Sequence, residues 1–210
     1  MSFVLQWTIA TALAIPLAQL ALDILFYAVL GWLLLPLAPL LGGVIGLAVG
    51  GAQSLILRQH GLAGGAWIVA TGGGFAAAGL LAFVALAIAA AAHPLARLAL
   101  LAAISSVIGL AQLPVVRRWT PRRAWWWVPS SMAGWTAFAA VLMLRPETLS
   151  IVTDVARRLV DRAAGYSTSG SALGATLVGG LLAGAVTGVA LRALGHPRGA
   201  PQPSAPARPS

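Results

Sequence analysis

Long apolar stretches, separated by short breaks of proline, glycine, histidine and arginine, fill most of the chain. The first runs from Phe3 to about Leu30 with Pro16 inside it, and the second from about Leu37 to Leu57. A third goes from Ala66 to about Ala90, a fourth from Leu95 to Val116, a fifth from Trp125 to Leu144 and a sixth from about Ala172 to Leu194. Each comes close to the roughly 20 apolar residues that carry an α-helix across the hydrocarbon core of a bilayer. The breaks have turn chemistry: the two prolines of "LPLAP" at Pro36 and Pro39, "HGLAGG" from His60, His93-Pro94, and the basic "RRWTPRR" from Arg117. Pro16 removes one backbone hydrogen bond and predicts a kink of the kind membrane helices tolerate.

The pattern changes once. Between the last two spans, Leu149, Val152, Ala156, Leu159, Val160 and Ala163 fall on one helical face, and Asp154, Arg157, Arg158, Asp161 and Arg162 on the other. Pro146 suits a first helical position, Glu147 complements the helix dipole, and Asp154 and Arg158 form an i,i+4 pair in the favourable order. This predicts an amphipathic helix over about 146–164, lying at the membrane surface. The Pro-, Ala- and Ser-rich tail over 196–210 has no face to bury and is expected to be disordered.

Composition agrees with a membrane class. Of 210 residues, 60% are apolar and 8% charged, against about 25% charged in soluble domains. The net charge of +9 comes from thirteen Arg with no Lys. Beside apolar spans such arginines set topology rather than bind nucleic acid. With the N-terminus cytoplasmic, that side holds Arg58, Arg117, Arg118, Arg122, Arg123, Arg192, Arg198 and Arg208 and no acid. The other side holds Arg97, Arg145, Arg157, Arg158 and Arg162 with Glu147, Asp154 and Asp161. The expectation is therefore a bacterial inner-membrane, multi-pass protein with both termini cytoplasmic. With no Cys, thiolate chemistry is excluded.

The spans are not independent. Aligning Gln53 on Gln112 also brings Gly50 onto Gly109, Arg58 onto Arg117 and Trp67 onto Trp126, and sixty positions before Trp67 stands Trp7. Gly184, Thr187 and Arg192 form a third copy, with Thr in place of Gln. The predicted architecture is all-α: six transmembrane helices as three parallel helical-hairpin repeats, over about 3–58, 66–117 and 125–194, within one membrane domain spanning 1–195. The amphipathic helix interrupts the third repeat.

Gly42, Gly46, Gly50 and Gln53 share one narrow helical face, as do Ser105, Gly109 and Gln112, and as do Gly180, Gly184, Thr187 and Gly188. Small residues every fourth position let membrane helices approach closely, so these helices are expected to meet one another or clasp their neighbours. Gln53, Gln112 and Thr187 are then a candidate interhelical polar layer. Arg58, Arg117 and Arg192, about 140° further round, are boundary residues, and Trp7, Trp67 and Trp125 to Trp127 are expected in an interfacial aromatic belt.

Segments "GGAQSLILR…GGAWIVATGGG" and "GLAQLPVVRRWTPRRAWWWVPSSMAGW" resemble a poorly characterised family of bacterial multispan membrane proteins, of cyanobacterial and Chloroflexi type. That family repeats G-x-x-Q-W-x-x-L-R before a Trp-rich helix start. Here Ser54 and Leu113 replace the Trp after Gln, and the third copy lacks Gln. The resemblance implies a six-helix architecture and carries no activity with it.

Catalytic chemistry is not evident. His60 and His196 are placed at one membrane end and His93 at the other, there is no nucleophile, metal or phosphate-loop motif, and "TGGGF" at Thr71 to Phe75 suits helix packing. No enzymatic activity and no cofactor are expected. Asp23 is the one acid within an apolar run and a candidate intramembrane acid. Two readings stay open. One is a non-enzymatic structural or accessory membrane subunit, whose partners are the lipid bilayer and another membrane protein or a second copy. The alternative is a small-solute or ion transporter or channel using Gln53, Gln112, Thr187 and Asp23.

Overall fold

The computed structural model describes residues 2–29, 34–62, 64–89, 94–143 and 170–194. Among them are six α-helices: α1 (Phe3–Val29), α2 (Leu34–Gln59), α3 (Gly65–Ala89), α4 (Pro94–Trp119), α5 (Trp127–Met143) and α6 (Gly170–Ala193). A 3₁₀ turn, Ala124–Trp126, leads into α5. The expected amphipathic helix over 146–164, the tail over 196–210, His93 and His196 lie outside the described residues. So does the side chain of Asp23, although its backbone belongs to α1.

Each helix starts or stops where its local chemistry dictates. Pro94 opens α4 at a position where its missing N–H costs nothing. At the end of α2, Gly61 has φ +75°, the left-handed conformation that favours glycine. The N–H of Leu62 bonds the Leu57 carbonyl at 2.9 Å and that of Gly61 bonds the Arg58 carbonyl at 3.0 Å. This is a Schellman closure, and Leu62 packs against the core around Leu57 as that motif requires. The prolines of "LPLAP" differ from expectation. Pro36 and Pro39 lie within the opening turns of α2, not before them. Pro36 lies in the first turn, where N–H groups have no intrahelical partner to lose. Pro39 lies further in and gives up one bond, to the Leu35 carbonyl, so the helix extends back to Leu34 at little cost.

Each helix packs along its two chain neighbours, and α6 packs back on α1, closing a ring. Large apolar side chains point outward: Leu5, Leu13 and Leu17 on α1, Leu47 and Leu55 on α2, Leu80 and Val84 on α3, and Val178, Leu182 and Val189 on α6. Buried positions include Thr11, Gln53, Thr71, Gln112, Ser131 and Thr187. An apolar exterior around a partly polar interior suits lipid as the solvent. Among the described residues, four stretches are long and apolar enough to cross a bilayer, namely Pro39–Gln59, Gly65–Ala82, Ala96–Trp119 and Ala175–Ala193. The chain is a helical membrane protein.

Glycine seams set which helices approach most closely. A methyl group placed on Gly50 of α2 would meet Thr71 Cβ at 3.0 Å and Ile68 Cα at 3.1 Å on α3. On Gly109 of α4 it would meet Ser131 Cβ at 2.9 Å and Val128 Cα at 3.1 Å on α5. On Gly184 of α6 it would meet Thr8 Cα at 2.8 Å and Thr11 Cβ at 3.1 Å on α1. The small faces of the even-numbered helices therefore clasp the odd-numbered helix that follows around the ring.

Candidate functional site

The most organised polar feature lies near the arginine-bearing ends of α2, α4 and α6. Trp7, Trp67 and Trp127 stand sixty residues apart, one turn into or at the start of an odd-numbered helix. Four residues after each comes a hydroxyl, Thr11, Thr71 or Ser131, one turn deeper on the same face. The even-numbered helices bring Gln53, Gln112 and Thr187 to the same level from the opposite direction.

Two seams are joined identically. Trp67 Nε1 donates to Gln53 Oε1 at 2.9 Å, and Gln53 Nε2 donates to Thr11 Oγ1 at 2.8 Å. Trp127 Nε1 donates to Gln112 Oε1 at 3.0 Å, and Gln112 Nε2 donates to Thr71 Oγ1 at 2.9 Å. Each amide thus ties together three helices: its own, the preceding odd-numbered one and the following one. Glutamine suits this role because its amide carries an acceptor and a donor side by side. Both glutamines are 2% exposed, and their bonds close entirely within the protein.

The third seam follows the plan only halfway. Trp7 Nε1 donates to Thr187 Oγ1 at 3.1 Å, closing the ring between α1 and α6. Thr187 Oγ1 then donates back to the Ala183 carbonyl of its own helix at 2.7 Å. Ser131 Oγ is buried and has no hydrogen-bond partner.

The three indoles also pack on one another. Trp67 meets Trp7 and Trp127 edge-on, each at a centroid distance of 5.5 Å, and stacks on Trp119 at 5.6 Å. Such pairs contribute about 0.5–1.5 kcal/mol beyond the burial of their area. This corrects the expected interfacial belt: Trp7, Trp67 and Trp127 are core residues, and only Trp125 and Trp126 of the triplet are exposed. The hydrogen bonds likewise make Trp127, not Trp126, the counterpart of Trp67. One extra residue in the loop before α5 shifts the register by one.

Arg58, Arg117 and Arg192 are exposed at the ends of their helices. The Arg117 guanidinium lies 4.3 Å from the ring centre of Trp125, a cation–π contact. His60 sits edge-on to Phe3 at 5.0 Å, and its Nδ1–H donates to the Ile56 carbonyl at 2.9 Å. Among the described residues, no group of three or more His, Cys, Asp or Glu side chains is placed to hold a metal ion.

Thr11, Thr71 and Ser131 are the residues of this layer that the sequence reading misses. Their signal is the spacing Trp-x-x-x-Thr/Ser, visible only once the tryptophans are aligned at sixty. Comparison with family models, curated proteins and solved structures returns no match to this chain.

Proposed function

We propose that the chain is a six-span, non-enzymatic protein of a bacterial inner membrane, built from three parallel helical repeats and acting as a structural or accessory subunit. The observation that carries this reading is the saturation of the Gln53 and Gln112 amides by Trp and Thr of neighbouring helices. A permeation path needs polar groups free to exchange partners with a solute, whereas groups that satisfy one another rigidify a core. The outward leucines and valines supply a face for lipid, a second copy or another membrane protein. Arginines at the ends of α2, α4 and α6, with no acid in the loops they adjoin, support a cytoplasmic location for that end. The sequence resemblance to bacterial multispan proteins with G-x-x-Q repeats fits the same architecture.

The test is purification of the full chain in mild detergent, followed by native mass measurement and an absorption spectrum, with reconstitution into sealed vesicles. The proposal expects a stoichiometric membrane-protein partner or a defined homo-oligomer, and solute or ion flux no greater than in empty vesicles. A monomer that drives saturable flux would replace it with the transporter reading.

A further inference from the structure

The α2–α3 and α4–α5 connections do the same structural work and differ in what they carry outward. Both precede an indole bonded to a buried glutamine. Sixty positions before Trp125 and Trp126 stand Gly65 and Ala66, and Gln59 follows Arg58 where Arg118 follows Arg117. The first connection has Arg58 as its one arginine, whereas the second has Arg117, Arg118, Arg122 and Arg123. Three arginines and two tryptophans of the second connection are therefore surplus to the fold.

These residues sit on a turn whose shape is fixed from within. The N–H groups of Thr120, Arg123 and Trp126 bond the carbonyls of Val116, Thr120 and Arg123 at 2.9, 3.2 and 3.0 Å. Val116, Ala124 and Trp127 are buried beneath it. Arg117 and Trp125 touch in a cation–π contact, so the two ends of the turn lie side by side. All four arginines and both surplus tryptophans are exposed. The chain has no Asp or Glu between Asp23 and Glu147, so α2 to α5 offer the arginines no counter-charge. Like charges held on one short turn repel until an outside anion joins them.

On the bilayer side of the turn the outward surface is apolar. Leu110 and Pro114 are exposed on the face of α4 that carries Arg117, and Pro129 and Ala133 follow Trp126 at helical spacing on α5. Guanidinium, indole and apolar wall thus succeed one another in the order of phosphate, glycerol and acyl chain in a phospholipid. Guanidinium groups take phosphate bidentately, and indoles settle at the headgroup level of a bilayer. We propose that the α4–α5 turn is a binding site for the phosphodiester headgroup of an anionic phospholipid, whose acyl chains lie on the outer faces of α4 and α5. A soluble polyanion would engage the arginines and leave the tryptophans and the apolar wall unused. The site stands for an accessory subunit and for a transporter alike, because it rests on the outer surface of the ring.

The experiment titrates the full chain in mild detergent with phosphatidylglycerol and with phosphatidylcholine of the same acyl chains, read by native mass measurement. Each arginine near anionic charge contributes about fivefold in affinity, so the first phosphatidylglycerol is expected to bind at least about tenfold more tightly than phosphatidylcholine. Arg122→Gln combined with Arg123→Gln should erase most of that preference. Arg58→Gln combined with Arg192→Gln removes the same charge from the same end of the bundle and should leave the preference intact. Glycerophosphoglycerol, the headgroup without its chains, should not displace the lipid. Equal binding of the two lipids overturns the proposal, as does an equal loss in the two double variants, which would show surface charge without a site. Displacement by the free headgroup would show a soluble phosphodiester site and overturn the lipid assignment. Unfolding temperatures in lipid-free detergent should match the parent in both double variants. A drop confined to the Arg122 and Arg123 variant would make those arginines structural and end the proposal.

Discussion

Replacing Gln112 by Leu removes two interhelical hydrogen bonds at once, and the structure separates their costs. The Thr71 hydroxyl loses its donor but can rotate to bond a carbonyl of its own helix, so its loss is partly recovered. The Trp127 indole N–H has no such recourse, because a ring nitrogen buried in a 1% exposed side chain cannot reach its own backbone ladder. An orphaned buried donor costs about 1–3 kcal/mol, while side-chain bonds between membrane helices average about 0.6 and reach about 1.7 kcal/mol. Leu fills much of the volume of Gln, so the cavity contribution is small. Gln112→Leu is therefore expected to destabilise the fold by about 1–3 kcal/mol, leaving it folded. Trp127→Phe serves as the partner change, since it deletes the N–H. In the wild type it loses both the bond and the packing against Trp67; in the Gln112→Leu background only the packing remains to be lost. Reversible unfolding in mixed micelles of all four proteins should give a coupling energy of about 0.6–1.7 kcal/mol. A coupling below about 0.3 kcal/mol, within the scatter of independent sites, would refute the claim that the amide joins α4 to α5.

Other expectations can be read with the same assay. Gly184→Ala places a methyl 2.8 Å from Thr8 Cα and 3.0 Å from its carbonyl oxygen, forcing α6 off α1 at about 1–3 kcal/mol; Gly51→Ala, with nothing within 4 Å of the new methyl, is expected to be neutral or stabilising. If both changes behave alike, the seam is looser than the geometry states. Trp67→Ala removes the central ring of the indole cluster and should cost about 3–5 kcal/mol. Trp126→Ala, at a position 70% exposed, should leave micelle unfolding unchanged, and an equal loss would place Trp126 in an interface.

Helix placement was legible because uninterrupted apolar runs and their Pro, Gly and His breaks carry it directly. The ends shifted by a few residues where proline sits in a first turn, as in α2. Which face of each even-numbered helix is tightly packed was also legible, since Gly at every fourth position has few other uses in lipid. The partner of that face was not. A glycine stripe states that something comes close without stating what, and the ring order resolves it only through contacts remote in sequence, such as Gly184 on Thr8. The tryptophans misled for a related reason. Near a helix end in an apolar chain, Trp suits an interfacial belt and a buried hydrogen-bonded core equally well. What separates them is a partner for the indole N–H, and Gln53 and Trp67, fourteen residues apart, meet only across the Schellman turn at Gly61. Thr11 and Thr71 were hidden because a lone Thr among alanines is compositionally unremarkable.

The asymmetry of the polar layer bears on how the bundle comes apart. Helices α2 and α4 each have an amide bonded on both sides, so neither can move without breaking bonds to two neighbours. At the same level α6 has the single Trp7–Thr187 bond toward α1, while Ser131 on α5 goes unmet by any side chain. The glycine contacts of Gly180, Gly184 and Gly188 hold α6 to α1, so the α5–α6 seam is the one with packing alone at this depth. Opening should therefore begin between α5 and α6, with α6 swinging away on its α1 contact. Amide hydrogen exchange in nanodiscs is expected to show the segment around Ala183 to Thr187 less protected than those around Val49 to Gln53 and Ile108 to Gln112. The one missing side-chain bond, at about 0.6 kcal/mol, corresponds to a protection difference of roughly threefold. Thr187→Gln should restore most of that difference, whereas Thr187→Val, which also removes the bond to Trp7, should enlarge it. Equal protection in all three segments would mean that packing, rather than the amide layer, sets local stability in this ring.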